Sequence, residues 1–251
     1  MLIYDICGLF FLHHSIMKKY AFWIVFFYVL LFFVILPIGG QFLAERQEAV
    51  VAYYPFLVFF NGVISFLIYF LALKGRIFEK HVLREKKPFF VYSSCALVSF
   101  GILCLSSVIF ETISYFFEIG GGIQKVIFPS SFLGWINFFF GVFFAAFFEE
   151  VIYRFYLPRA FREILQKRLT GKKKASEKMF DNQRLSVFCE GLALLLFGLG
   201  HIYLGILGFL NALVCGAALR LCMIKTKSLW IPFGIHAVYN FLSFLILFLL
   251  F

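Results

Sequence analysis

Apolar residues in this chain come in long unbroken runs, not in the one-sided stripe of a soluble helix or the alternation of a half-buried strand. A hydrocarbon core of roughly 30 Å takes about 20 helical residues to cross. Runs of that size occupy 20–38, 50–73, 89–110, 131–157, 185–201, 203–224 and 228–250. The pattern predicts an all-α fold, a polytopic transmembrane helical bundle of about seven spans. Residues 1–19, interrupted by Asp5, His13, His14, Lys18 and Lys19, are too short and too polar for a further span. They suit an interfacial segment, or the chain begins at Met17.

Composition agrees with that reading: 63% of residues are hydrophobic and 14% charged, against about half and about a quarter in soluble domains. The net charge of +10 does not point to nucleic acid, because the basic residues sit in short connectors and not on a soluble module. They sort by side. Alternate connectors hold Lys18 and Lys19, six residues between Lys74 and Lys87, nine between Arg159 and Arg184, and Arg220, Lys225 and Lys227. The intervening connectors hold only Arg46 and Lys125. Basic residues are retained on the cytoplasmic side, so the N-terminus is expected in the cytoplasm, in a plasma membrane of bacterial type, with lipid as the first partner. Six cysteines without a C-x-x-C pair read as small hydrophobes.

The connector 158–184, with Lys172, Lys173 and Lys174 in a row, is expected to be a solvated, mobile loop. It is the expected boundary between the first four spans and the last three; separately, residues 1–130, whose spans have no assigned role, are set apart from a second unit at 131–251. Gly208, Ala212 and Gly216 recur every fourth residue and predict close helix packing. No internal repeat supports an inverted-repeat transporter.

Ionisable residues inside spans cost a few kcal/mol each to insert, roughly 3, and so mark candidate function. The fourth span carries Glu149, Glu150 and Arg154. Glu150 and Arg154 lie one turn apart, where pairing offsets their burial, while Glu149 projects about 100° away. Glu150 with Arg154 is the expected brace and Glu149 the expected reagent. His201 closes the fifth span four residues after Phe197, and His236 and Asn240 share a face of the seventh. A lone buried histidine, or a lone buried Glu–Arg pair, is more often structural than catalytic. The ordered conjunction on separate spans is what points to chemistry.

Glu149-Glu150-Val-Ile-Tyr-Arg154, Phe197-Gly-Leu-Gly-His201 and His236-Ala-Val-Tyr-Asn240 resemble the motifs of the CAAX prenyl endopeptidase and bacteriocin-processing (Abi) family of intramembrane glutamate-type peptidases. The approach Thr226-Lys-Ser-Leu-Trp-Ile-Pro-Phe-Gly-Ile-His236 is similar as well, and the likeness covers roughly 130–245. The resemblance implies an endopeptidase cutting near the C-terminus of a lipidated or membrane-associated peptide. It implies that Glu149 and His201 activate water, that His236 and Asn240 stabilise the oxyanion, and that Arg154 orients the glutamates, with Glu150 and Phe197 in support. Peptide hydrolysis needs those parts: a base for water and donors at the developing negative oxygen.

Glu149, His201 and His236 are also candidate ligands for one divalent ion such as zinc, with water in the fourth place, which leaves metal dependence open. The H-E-x-x-H of common zinc proteases is absent, as are G-x-S-G and G-x-G-D segments. At 1.5 Å per residue, Glu149 comes about 12 Å below the cytoplasmic face and His236 about 10 Å. His201 comes about 24 Å deep counted from Leu185, or about 15 Å if Glu190 sits at the interface. The site is expected to open to the cytoplasm. The alternatives are a non-catalytic immunity or scaffold protein that keeps the fold, and an ion transporter using the two glutamates.

Overall fold

The structure, a computed structural model, describes residues 20–36, 38–39, 50–51, 55–74, 86–119, 126–169 and 175–250. The expectations for residues 1–19, for Arg46 and for Lys125 lie outside them. The helices are α1 (Tyr20–Ile35), α2 (Pro55–Leu73), α3 (Phe89–Phe117) and α4 (Phe132–Glu149). A π-helical segment, Glu150–Tyr156, then leads into α5 (Leu157–Leu169). α6 (Ala175–Leu199), a 3-10 turn at Ile202–Leu204, α7 (Gly205–Thr226) and α8 (Trp230–Leu250) follow. The only strand pairing among the described residues is parallel and two residues long, β1 (Val50–Val51) with β2 (Val126–Ile127), so the fold class is all-α as expected.

Four stretches among the described residues are long and apolar enough to cross a membrane: Phe89–Phe117, Phe132–Gln166, Ile202–Thr226 and Trp230–Leu249. The expected spans at 20–38 and 50–73 coincide with shorter apolar helices, and the one at 185–201 is the second part of α6. Large apolar side chains such as Phe89, Leu105, Phe116 and Phe132 are exposed, as befits surfaces whose solvent is lipid.

Helix ends follow local chemistry. Ser131 caps α4 by accepting the Gly134 N–H at 3.1 Å. Glu118 and Lys227 stop α3 and α7 in the left-handed region, at φ 52° and 53°. Gly205, at φ 83°, makes the turn into α7, a conformation that favours glycine.

The expectation of a loop over 158–184 is corrected: its described parts are helical, α5 up to Leu169 and α6 from Ala175. The physical reason is amphipathicity. Leu157 and Ala160 are buried, and Phe161 and Ile164 pack against the core, so one face of a highly charged segment has an apolar surface to cover. Charge density read alone hid that stripe.

The core is built around the π-helical segment, all seven of whose residues are buried. Val29 and Phe33 of α1, Ile68 and Tyr69 of α2, Phe197 of α6, Leu229 just before α8 and Phe233 of α8 join it in one cluster. The expected small-residue stripe of α7 takes part at Gly216, where an added Cβ would meet Leu194 at 2.7 Å and Phe197 at 2.9 Å. That close approach seats the Phe197 ring.

Candidate active site

The segment that carries the charges is also where the helix changes pitch. In the π-helical stretch the Leu157 N–H reaches the Ile152 carbonyl, five residues back. Pro158 lies four residues after Arg154; its ring has no N–H and crowds the carbonyl one turn earlier, which favours widening the turn. The same arrangement occurs in α1, where the π-helical turn Leu30–Ile35 precedes Pro37. The Phe33 carbonyl, four residues before Pro37, accepts the hydroxyl of Tyr153. The Arg154 carbonyl, four residues before Pro158, accepts Arg220 Nη1–H at 2.7 Å.

Glu150 is 0% exposed and Arg154 3% exposed, and they are joined at 2.9 Å between Nη1 and Oε1. The same Oε1 of Glu150 lies 2.8 Å from His236 Nδ1. A carboxylate accepts, so Nδ1 carries the hydrogen. The other ring nitrogen, Nε2, faces Glu149 Oε2 at 3.6 Å. His236 thus stands between the two glutamates with one nitrogen toward each, and the helix α8 is docked on the π segment through it. Glu149 is 17% exposed, in contrast to its sealed neighbour.

Phe197 forms the next layer. The Arg154 guanidinium lies over its ring at 4.2 Å, and the His201 ring packs against it at 4.6 Å between centroids. Tyr153 meets the same ring edge-on at 5.5 Å. His201 is tethered by Nδ1 to the Phe197 carbonyl at 2.9 Å, within a tight turn closed by the His201 N–H on the Gly198 carbonyl at 2.8 Å. The ring of Tyr203 is stacked 6.4 Å beyond His201 and is within electrostatic reach of Glu149.

The structure therefore brings Glu149, Glu150, Arg154 and His236 into direct contact and places Phe197 and His201 beside them. His201 is bonded to neither glutamate among the described residues. Asn240 is half-buried one turn beyond His236 on the same helix, with no hydrogen bond to a described residue. The three candidate metal ligands do not gather: among the described residues no group of three His, Cys, Asp or Glu side chains could hold a metal ion. Several enclosed polar atoms keep hydrogen-bonding capacity, namely Glu149 Oε2, Glu150 Oε2, and Arg154 Nε and Nη2.

Sequence reasoning missed Tyr153, Arg220 and Glu190. Glu190 accepts from Arg220 Nε at 2.6 Å and from Nη2. The available signal was Pro158, four residues after Arg154, which announces a carbonyl in need of a donor.

Residues 130–242 match the family described as Type II CAAX prenyl endopeptidase Rce1-like. No curated protein and no solved structure gives a significant match. That family is one of membrane proteases, and the four long apolar helices are those of an integral membrane protein. Through residues 130–242, a little under half of its length, the chain is thus similar to the Type II CAAX prenyl endopeptidase Rce1-like family.

Proposed function

We propose that the protein is an intramembrane endopeptidase that hydrolyses a peptide bond near the C-terminus of a lipidated, membrane-associated substrate, using water activated by Glu149. The observation that carries this reading is that two glutamates face the two nitrogens of His236, at 3.6 Å and 2.8 Å, at the start of a buried turn.

The division of labour follows from burial. Glu150 is committed to Arg154 and His236 and holds the constellation together. Glu149, the more open carboxylate, takes a proton from water as the oxygen attacks the scissile carbonyl. The carbonyl becomes a tetrahedral oxyanion, which accepts hydrogen bonds from the Asn240 amide N–H and, with both ring nitrogens of His236 protonated, from Nε2–H. Collapse breaks the C–N bond, and the proton held by Glu149 passes to the leaving amine. His201, fixed by its tether to the Phe197 carbonyl, orients the water. Residues 131–251 form the catalytic unit, and the site opens to the cytoplasm of a bacterial plasma membrane, as the distribution of basic residues supports.

The test is cleavage by the purified full-length protein of a prenylated peptide in water enriched in heavy oxygen. The reading expects one labelled oxygen in the new carboxylate, and loss of the product in His201→Ala. Unlabelled product, or undiminished cleavage by that variant, overturns it. Absence of any cleavage by the parent favours the non-catalytic scaffold.

A further inference from the structure

Arg220 lies on α7, outside all three motifs, yet its guanidinium reaches into the backbone of the charged turn. Its Nη1 donates to the Arg154 carbonyl at 2.7 Å, while Nε and Nη2 form a two-point pair with Glu190 of α6. The residues are 21% and 27% exposed, so the pair sits at the edge of the core. Pro158 removes the regular α-helical partner of that carbonyl: in a regular helix the Arg154 oxygen would take the N–H of residue 158, and proline has none. A buried carbonyl without a donor costs roughly as much as a lost hydrogen bond. Arg220 offers the planar fork this position needs, with one edge for a carboxylate and one nitrogen left for the carbonyl.

We propose that Arg220, aimed by Glu190, is a positioning residue for the catalytic turn: it replaces the hydrogen bond that Pro158 removes and so fixes the register in which Glu149 and Glu150 meet His236. The inference rests on the peptidase reading for its effect on rate, though not for its effect on structure. The π-helical register places Arg154 so that its side chain meets Glu150 and the Phe197 ring. A shift of that carbonyl moves both contacts together. Misplacement of reacting groups by about 1 Å costs on the order of 10²-fold in rate.

The proposal makes proline and arginine exchangeable as solutions. Arg220→Met removes the side-chain donor, and adding Pro158→Ala restores a backbone N–H one turn after Arg154. Amide hydrogen exchange of the full-length protein in nanodiscs, read on peptides covering 150–157, should rise in Arg220→Met while the rest of α6 and α7 stays protected. It should return toward the parent in the double variant. On a prenylated peptide, kcat should fall by roughly 10²-fold in the single variant, with KM little changed, and recover in the double. If Arg220→Met does not fold, Arg220→Lys takes its place. Lysine keeps the charge but cannot span Glu190 and the carbonyl at once, and the same local exchange and rescue are expected.

Unchanged exchange over 150–157, a uniform rise across α6 and α7, or a double variant as impaired as the single one overturns the proposal. So does undiminished kcat in the single variant. If the parent cleaves nothing, it is the peptidase reading that fails, and the exchange experiment alone then upholds or overturns the backbone cap.

Discussion

Glu150 and Arg154 share a sealed pocket, and their value lies in each other's presence. Removing one partner of a buried pair leaves an uncompensated charge, at a cost of about 3–5 kcal/mol. Arg154→Met is therefore expected to lower the thermal midpoint of the detergent-solubilised protein sharply, because Glu150 then keeps only His236. A midpoint unchanged from the parent contradicts the pairing. Phe197 acts differently. Its ring carries the Arg154 guanidinium on one side and His201 on another, so Phe197→Leu removes a cation–π contact worth about 0.5–2 kcal/mol and loosens His201 at the same time. Kinetics should register this as a drop in kcat of about tenfold with the fold intact. A change confined to KM would place Phe197 in substrate binding instead.

At the scale of elements, the π-helical segment decides the geometry of the site. Its seven residues are all buried, and two contacts, the Tyr153 hydroxyl donating to the Phe33 carbonyl of α1 and the Arg154 carbonyl accepting from Arg220 of α7, tie both helices to one turn. Tyr153→Phe should free the Phe33 carbonyl and destabilise the packing of α1 by about 1–3 kcal/mol, the cost of an unmet buried acceptor. Denaturant titration followed by the Trp23 environment would report it, and an unchanged midpoint would refute the contact.

The sequence made the apolar helices legible because length and hydropathy alone specify them, and it made Glu149, Glu150, Arg154 and His236 legible because buried charge is costly and therefore rare. It did not reveal the widened turn, since π-helical register depends on which distant donor collects the released carbonyl. Nor did it reveal α5, whose apolar face of Leu157, Ala160, Phe161 and Ile164 is hidden among arginines and lysines. Arg220 read as a topological charge for the same reason: its carbonyl partner lies on another helix, sixty-six residues away.

Over the whole molecule, basic residues gather in alternate connectors, and the site's charged turn runs into α5, which carries several of them. This orientation predicts that Lys173→Cys reacts with a membrane-impermeant maleimide in inside-out vesicles and stays unlabelled on intact cells. Labelling of intact cells would invert the topology and with it the side from which substrate enters.

The central claim is that Glu149 is the base, and Glu149→Gln tests it most directly because the substitution keeps size and hydrogen bonding while removing the proton acceptor. With folding verified by an unchanged thermal midpoint, kcat on a prenylated peptide should fall by about 10²–10⁴-fold. A variant that cleaves as fast as the parent contradicts the account.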